Sequence, residues 1–221
     1  MNIFMKKAIL FDLTNTLQLF DWEKMEKGLS EIIPNFSLQT YKKYYNEYQS
    51  GKIKNDKQFF EKILAERKEK FVGKQIEEII QKHYSIRKNF VFLPENLQTT
   101  LSELKKDFSL AVLSNGIADW AQNDWEMLGF PDKKIFETEI YSQNTCILKP
   151  EKRAFEIALQ KIGVKAEQAV MVGDSEEEDM QGAKQAGLST VWLKKERGKN
   201  CEYADYVIWN LEELLQLKKE W

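Results

Sequence analysis

Short apolar runs and helical stripes alternate along most of the chain, and together they predict a sheet flanked by helices. Runs typical of buried parallel strands occur at 8–11, 109–113, 135–141, 169–172, 190–193 and 206–208. Helical periodicity is found at 96–106, 118–128, after Lys149-Pro150, at 179–186 and at 211–217. This alternation favours an α/β fold with a doubly wound parallel sheet and helices on both faces.

The segment that follows the first strand breaks the alternation and predicts a bundle of amphipathic helices. We expect these helices at 22–33, from Ser37, from Asn55 or Asp56, and at 73–86, and we place His83 on a helix surface. The predicted organisation is a catalytic core at 1–18 and 92–221, with an α-helical cap at 19–91. Because the insertion interrupts the first strand, the cap should lie over the end of that strand and act as a lid.

Composition narrows the choice of partners. Lys and Arg number 33 against 35 Asp and Glu, so the chain has no basic field of the kind that binds nucleic acid. No run of about 18 apolar residues predicts a membrane span, and no cleavage-site pattern predicts a signal peptide. The two cysteines, Cys146 and Cys201, are far apart, which suits a reducing compartment. We therefore expect a cytoplasmic protein that acts on a small molecule.

Chemically reactive side chains recur at the carboxyl ends of predicted strands or where the next helix begins. These residues are Asp12, Ser114, Lys149 and Asp174. Asp12 taken alone could equally cap a turn, but all of these groups would converge at the switch point of a doubly wound sheet. Two neighbouring carboxylates repel each other unless a proton or a metal lies between them, and Mg²⁺ with oxygen ligands would resolve the repulsion.

The stretches FDLTNTL, VLSNG, LKPEKRAF and VGDSEEEDMQGAKQAG, in this order, resemble the motifs of the haloacid dehalogenase superfamily of hydrolases. The resemblance covers nearly the whole chain and places the helical insertion where these enzymes carry a cap. It implies that Asp12 attacks phosphorus to form an aspartyl-phosphate. Ser114 and the neighbouring Asn115 would hold the transferring group, and Lys149 would neutralise charge on the nucleophile and the phosphate.

The resemblance also implies a Mg²⁺ site formed by Asp12, Asp174 and the backbone carbonyl of Thr14. Asp179 matches the second acidic position of the family, which supports the metal shell or Lys149. The alternative for Asp179 is a carboxylate at a helix N-terminus, favoured by the helix dipole.

Thr14 is the departure from the pattern of the family's phosphatases, which carry a second aspartate there as general acid and base. Threonine cannot transfer protons well, so we expect a damaged proton-transfer step with metal binding intact. This leaves a Mg²⁺-dependent phosphatase of small phosphate esters as the first hypothesis. The alternatives are a metal- and phosphate-binding protein with negligible turnover, and a 2-haloacid dehalogenase-like hydrolase, which retention of Asp174 disfavours.

Two lysines of the insertion, Lys52 and Lys54, lie on a predicted turn. Lys52 is a candidate contact for an anionic substrate, and the alternative is a solvated lysine on an exposed turn.

Overall fold

The first strand of the chain is buried inside a parallel sheet. The computed structural model describes residues 5–33, 35–66, 73–130, 134–195 and 200–221. In these ranges the strands are β1 (Ala8–Phe11), β2 (Leu19–Phe20), β3 (Val91–Phe92), β4 (Ser109–Ser114), β5 (Thr138–Tyr141), β6 (Ala169–Gly173), β7 (Ser189–Leu193) and β8 (Tyr206–Ile208). Six of them form one sheet in the order β5-β4-β1-β6-β7-β8, and every pairing in it is parallel. The predicted doubly wound sheet is confirmed.

Helices cover both faces of this sheet. All α-helices of the described ranges, including those of the segment after the first strand, are α1 (Trp22–Ile32), α2 (Leu38–Gln49), α3 (Asp56–Ala65), α4 (Gly73–Ile86), α5 (Leu97–Lys105), α6 (Ala118–Met127), α7 (Ser142–Thr145), α8 (Lys152–Ile162), α9 (Gly182–Ala186) and α10 (Leu214–Leu217). Alternate residues of β1 enter different cores, because successive side chains of a strand point to opposite faces. Ile9 and Phe11 pack with α5 and α6, whereas Leu10 packs with α8 and α9.

Three predicted elements differ from the structure by more than one residue. The strand expected at 135–141 begins only at Thr138, because Ile135 and Phe136 are buried without pairing to a neighbouring strand. A π-helical turn, Glu176–Gln181, precedes α9 in the segment predicted as one helix. The C-terminal helix is divided into a 3-10 turn, Leu211–Glu213, followed by α10.

The helices α1 to α4 share an apolar cluster of their own. Ser37 caps α2 by accepting a hydrogen bond from the Thr40 N–H group, which confirms the predicted start of this helix. Of the two residues predicted to open α3, Asn55 is the cap, accepting from the Gln58 N–H group, and Asp56 is the first helical residue. The chain leaves the sheet along β2 and returns along β3, which pair antiparallel with Leu19 opposite Phe92. This ribbon lies at the predicted boundary, and the division into core 1–18 and 92–221 and cap 19–91 stays a prediction.

His83 is fully buried, so its predicted surface position is wrong. Its Nε2 atom lies 3.4 Å from the Tyr41 hydroxyl, and its ring centroid lies 4.6 Å from that of Trp120. Burial, followed by the charge of Arg87, lowers the pKa of His83 well below its usual value. The neutral imidazole therefore packs as an aromatic ring.

None of the helices in the described ranges has the length and apolar character needed to cross a bilayer.

Candidate active site

The loop after β1 places Asp12 at the carboxyl end of the sheet. Phe11 is level with Val112 of β4 and Val172 of β6, so Asp12 emerges between the two strands that flank β1. The Asp12 N–H group still donates to the Val172 carbonyl at 2.9 Å. The chain then turns sharply, with Asn15 at a φ of 62°, a conformation that asparagine tolerates better than most residues. The nucleophile candidate is thus fixed by the sheet rather than by a mobile loop.

Lys149 joins Asp12 to Asp179. Its Nζ atom lies 2.7 Å from Asp12 Oδ1 and 2.5 Å from Asp179 Oδ1, and all three side chains are nearly inaccessible to solvent. Burial alone would lower the pKa of Lys149, but the carboxylates of Asp12 and Asp179 outweigh it, and the pKa lies above its ordinary value. The ammonium group therefore stays charged and compensates the buried carboxylates.

Asn115 holds the backbone of Lys149. The Lys149 N–H group donates to Asn115 Oδ1 at 2.8 Å, and Asn115 Nδ2 donates to the Lys149 carbonyl at 2.8 Å and to Glu178 Oε2 at 2.9 Å. The side chain that the sequence suggested for substrate binding is therefore engaged in positioning the lysine. Substrate binding by Asn115 stays a prediction.

Asp12, Asp174 and Asp179 form an acidic cluster whose nearest carboxylate oxygens all lie within 4.8 Å of one another. Burial raises the pKa of Asp12, and the nearby charges of Asp179 and Asp174 raise it further, against the opposing effect of Lys149. The pKa of Asp174 is raised for the same reasons, with Lys195 opposing. A set of hard oxygen donors with excess negative charge fits a divalent cation such as Mg²⁺.

The last residue of β6 must be small because Asp179 lies against it. A Cβ atom added to Gly173 would overlap the Asp179 carboxyl group. The Ser175 N–H group donates to Asp179 Oδ2 at 3.0 Å, which leaves Oδ1 for Lys149. Asp179 is thus turned into the site and does not act as a solvated carboxylate at a helix N-terminus.

A cavity of about 280 Å³ opens beside the loop that follows β1, with Thr14 and Ser114 among its lining residues. Ser114 is buried, and its hydroxyl has no hydrogen-bond partner within the described residues. A buried hydroxyl without a partner is unfavourable, so this group is well suited to bind a ligand oxygen.

Sequence reasoning missed three buried polar residues of the cavity wall, Gln18, Arg87 and Asp124. Arg87 donates from Nε and Nη2 to the Asp124 carboxylate at 2.6 and 2.5 Å, in a bidentate pair. Each partner comes from a different part of the chain, so no periodicity could have revealed the pair. Gln18 follows the nucleophile motif directly, and this proximity was the available signal.

Lys52 and Lys54 do not line the cavity. Lys54 Nζ donates to the Gly51 carbonyl of its own turn at 2.5 Å, and Lys52 is exposed. Substrate contact by Lys52 stays a prediction.

Comparison with known proteins gives consistent findings. The sequence model of the haloacid dehalogenase-like hydrolases matches residues 6–187. The chain is 27% identical to glyceraldehyde 3-phosphate phosphatase of Methanocaldococcus jannaschii, over 97% of this chain and 98% of that protein. It is 29% identical to phosphoserine phosphatase of Thermus thermophilus, over 62% of this chain and 55% of that protein. The structure of 2-haloacid dehalogenase from Pseudomonas syringae superposes with a TM-score of 0.74 at 24% identity, covering 98% of this chain and all of that one, which shows a shared fold.

Proposed function

Because the chain belongs to the haloacid dehalogenase-like hydrolases, we propose that it is a Mg²⁺-dependent phosphatase that acts on small phosphate esters. The observation that carries this proposal is that Lys149 contacts two members of the acidic cluster, Asp12 and Asp179. A carboxylate nucleophile, an ammonium group and further carboxylates within a few ångströms form a site for an anionic ester and its counter-cation. The phosphatase names of the relatives agree with it.

The first step is attack by a carboxylate oxygen of Asp12 on phosphorus. The bond between phosphorus and the ester oxygen breaks, and the leaving group departs with its electron pair. Lys149 orients the Asp12 carboxylate and places positive charge beside the transferring group, where the charge is most effective in a water-poor site. The Ser114 hydroxyl donates to a phosphoryl oxygen and thereby gains the partner it lacks. A water oxygen then attacks phosphorus, the bond between phosphorus and the Asp12 oxygen breaks, and inorganic phosphate leaves with the proton that the water gives up, which regenerates the Asp12 carboxylate.

Asp12, Asp174 and the backbone carbonyl of Thr14 would hold Mg²⁺. When bound, the ion neutralises the carboxylates and supplies Lewis-acid stabilisation of phosphoryl oxygens. Asp179 supports this arrangement through Lys149. Burial and the neighbouring carboxylates raise the pKa values of Asp12 and Asp174, so a cation held between these groups would stabilise their charged forms.

Thr14 limits the proposed reaction, because it lies where an acid and base would serve the leaving group and the attacking water. Esters with good leaving groups need no proton from the enzyme, so they should react faster than alkyl phosphates. The same feature favours a second candidate, a protein that binds metal and phosphate with negligible turnover.

Phosphate release from p-nitrophenyl phosphate and acetyl phosphate, with Mg²⁺ and with a chelator, tests the proposal. We expect release that depends on Mg²⁺ and is abolished in Asp12→Asn. A folded protein that releases no phosphate from any ester refutes the phosphatase proposal. A stable beryllofluoride adduct in that case would support the binding protein, whereas chloride release from 2-haloacids without metal would support a dehalogenase.

A further inference from the structure

Gln18 is the most unusual polar residue of the cavity. Its side chain is 1% exposed, and neither amide atom has a hydrogen-bond partner in the part of the chain that the structure describes. An unpaired amide in a buried place lowers the stability of the folded protein, because the group loses its bonds to water. Ser114, the other cavity residue with an unpaired buried oxygen, has a partner in the transferring phosphoryl group under the proposed function. Gln18 has none, which points to the rest of the substrate.

The backbone of Gln18 is held by the loop that follows β1. Its N–H group donates to the Leu13 carbonyl at 2.8 Å, and its carbonyl accepts from the Asn15 N–H group at 2.5 Å. Within the same loop, Thr14 and Gln18 form an isolated β-bridge. The backbone of Gln18 is therefore held in place, and its side chain lines the same cavity as Thr14 and Ser114.

The buried charged groups of the cavity wall compensate each other. The Arg87 guanidinium is paired with Asp124, and it lies over the rings of Trp120 at 5.2 Å and of Phe20 and Phe90 at 5.8 Å. Lys42 is exposed at the rim. Most other lining side chains are apolar or aromatic, among them Leu13, Met25, Ile117 and Ala121. A carboxylate or an ammonium group carried into the buried part of the cavity, away from the exposed Lys42, would therefore lack a partner.

We propose that Gln18 is a specificity-determining residue that selects phosphate esters whose leaving group is uncharged and carries a hydrogen-bond acceptor beside a donor. A glutamine amide offers a donor and an acceptor side by side, so its complement is a carbonyl next to a hydroxyl or an N–H group. A small sugar phosphate and the lactam edge of a pyrimidine nucleotide share this chemistry, and a cavity of about 280 Å³ suits leaving groups of such size. This inference rests on the proposed phosphatase function.

The test compares Gln18→Met, which keeps the length of the side chain, with Gln98→Met on the exposed face of α5 as the matched control. The substrates are glyceraldehyde 3-phosphate, uridine 5′-monophosphate, phosphoserine and p-nitrophenyl phosphate. We expect the wild type to prefer at least one of the first two over phosphoserine, and the preferred ester distinguishes a sugar from a base. In Gln18→Met, kcat/KM for that ester relative to p-nitrophenyl phosphate should fall roughly 10- to 100-fold, as expected for two lost hydrogen bonds. Gln98→Met should not change this ratio.

A second measurement separates this role from a structural one. The substitution Gln18→Met removes a buried amide that has no hydrogen-bond partner, and no other protein group loses a partner. Without ligand, this variant should therefore unfold at a higher temperature than the wild type. A lower unfolding temperature, an equal loss of kcat/KM for every ester, or a preference for phosphoserine would overturn the inference. If the wild type hydrolyses no ester, the proposed function fails, and the inference is then decided by ester binding to Asp12→Asn. Binding that is lost in Asp12→Asn/Gln18→Met supports it, and binding that is absent from Asp12→Asn or kept in the double variant overturns it.

Discussion

The buried ion pair between Arg87 and Asp124 should make the fold sensitive to loss of a single charge. The Arg87 side chain is 6% exposed and that of Asp124 is inaccessible. Replacing Asp124 by Asn keeps the shape but leaves the guanidinium buried without its counter-charge. Breaking a buried pair in this way costs about 3–5 kcal/mol of the free energy of unfolding. For a chain of this length, that corresponds to a decrease in Tm of roughly 6–20 °C.

Removing both charges should be much less harmful. Phe20, Phe90 and Trp120 surround the guanidinium, so apolar side chains can fill the same space. The double variant Arg87→Met/Asp124→Leu should therefore recover most of the stability that Asp124→Asn loses, because it leaves no unpaired buried charge.

Urea unfolding, followed by tryptophan fluorescence, measures these differences. Lys106→Met is the control, because Lys106 pairs with Glu103 at 2.6 Å with both side chains largely exposed, and its loss should leave the free energy of unfolding nearly unchanged. A cost below about 1 kcal/mol for Asp124→Asn would refute the reasoning, since it would mean that water reaches the guanidinium. A double variant as unstable as the single one would show that the pair stabilises the fold by more than mutual compensation.

Three further predictions follow from the site and its surroundings. His83 is buried in its neutral form while the unfolded chain takes up a proton below about pH 6.5, so the free energy of unfolding should fall as the pH decreases from that value, by up to about 1.4 kcal/mol per pH unit. His83→Phe should flatten this slope in urea titrations, and an identical slope would contradict it. Gly173→Ala should displace Asp179 and abolish the Mg²⁺-dependent rise in Tm, whereas a retained rise would show that the carboxylate tolerates the methyl group. Thr14→Asp should raise turnover of an alkyl phosphate by at least about 100-fold and that of p-nitrophenyl phosphate by less, and equal rates in both proteins would show that Thr14 is not the missing proton-transfer position.

The sequence predicted the sheet well, and it predicted that polar side chains gather at one edge of it, because strand burial and strand ends are local properties. Asp12, Ser114 and Asp174 each follow or end an apolar run, and parallel strands bring such ends together. Lys149 comes from the loop before α8 and Asp179 from the π-helical turn before α9, and Lys149 contacts both Asp12 and Asp179.

The wall of the cavity could not be predicted in the same way. Arg87 and Asp124 meet only because the insertion returns to the sheet beside α6, and pairing across such a distance leaves no pattern in the sequence. His83 is different, since it lies on the same stripe as Ile76 and Ile79, at the helical spacing of a buried face. The polar character of histidine favours a surface position, whereas the place of His83 in this helical pattern predicts a buried side chain.

Trp120 has a consequence for recombination between relatives of this protein. By sequence it belongs to α6, yet it packs with Tyr41, Phe59 and His83 of the insertion and donates from Nε1 to Asp56 at 2.7 Å. A chimera that exchanges only the segment between β2 and β3 would therefore leave behind one wall of the core that this segment requires. To transplant a foreign insertion onto this sheet, the residue at position 120 must be exchanged together with it.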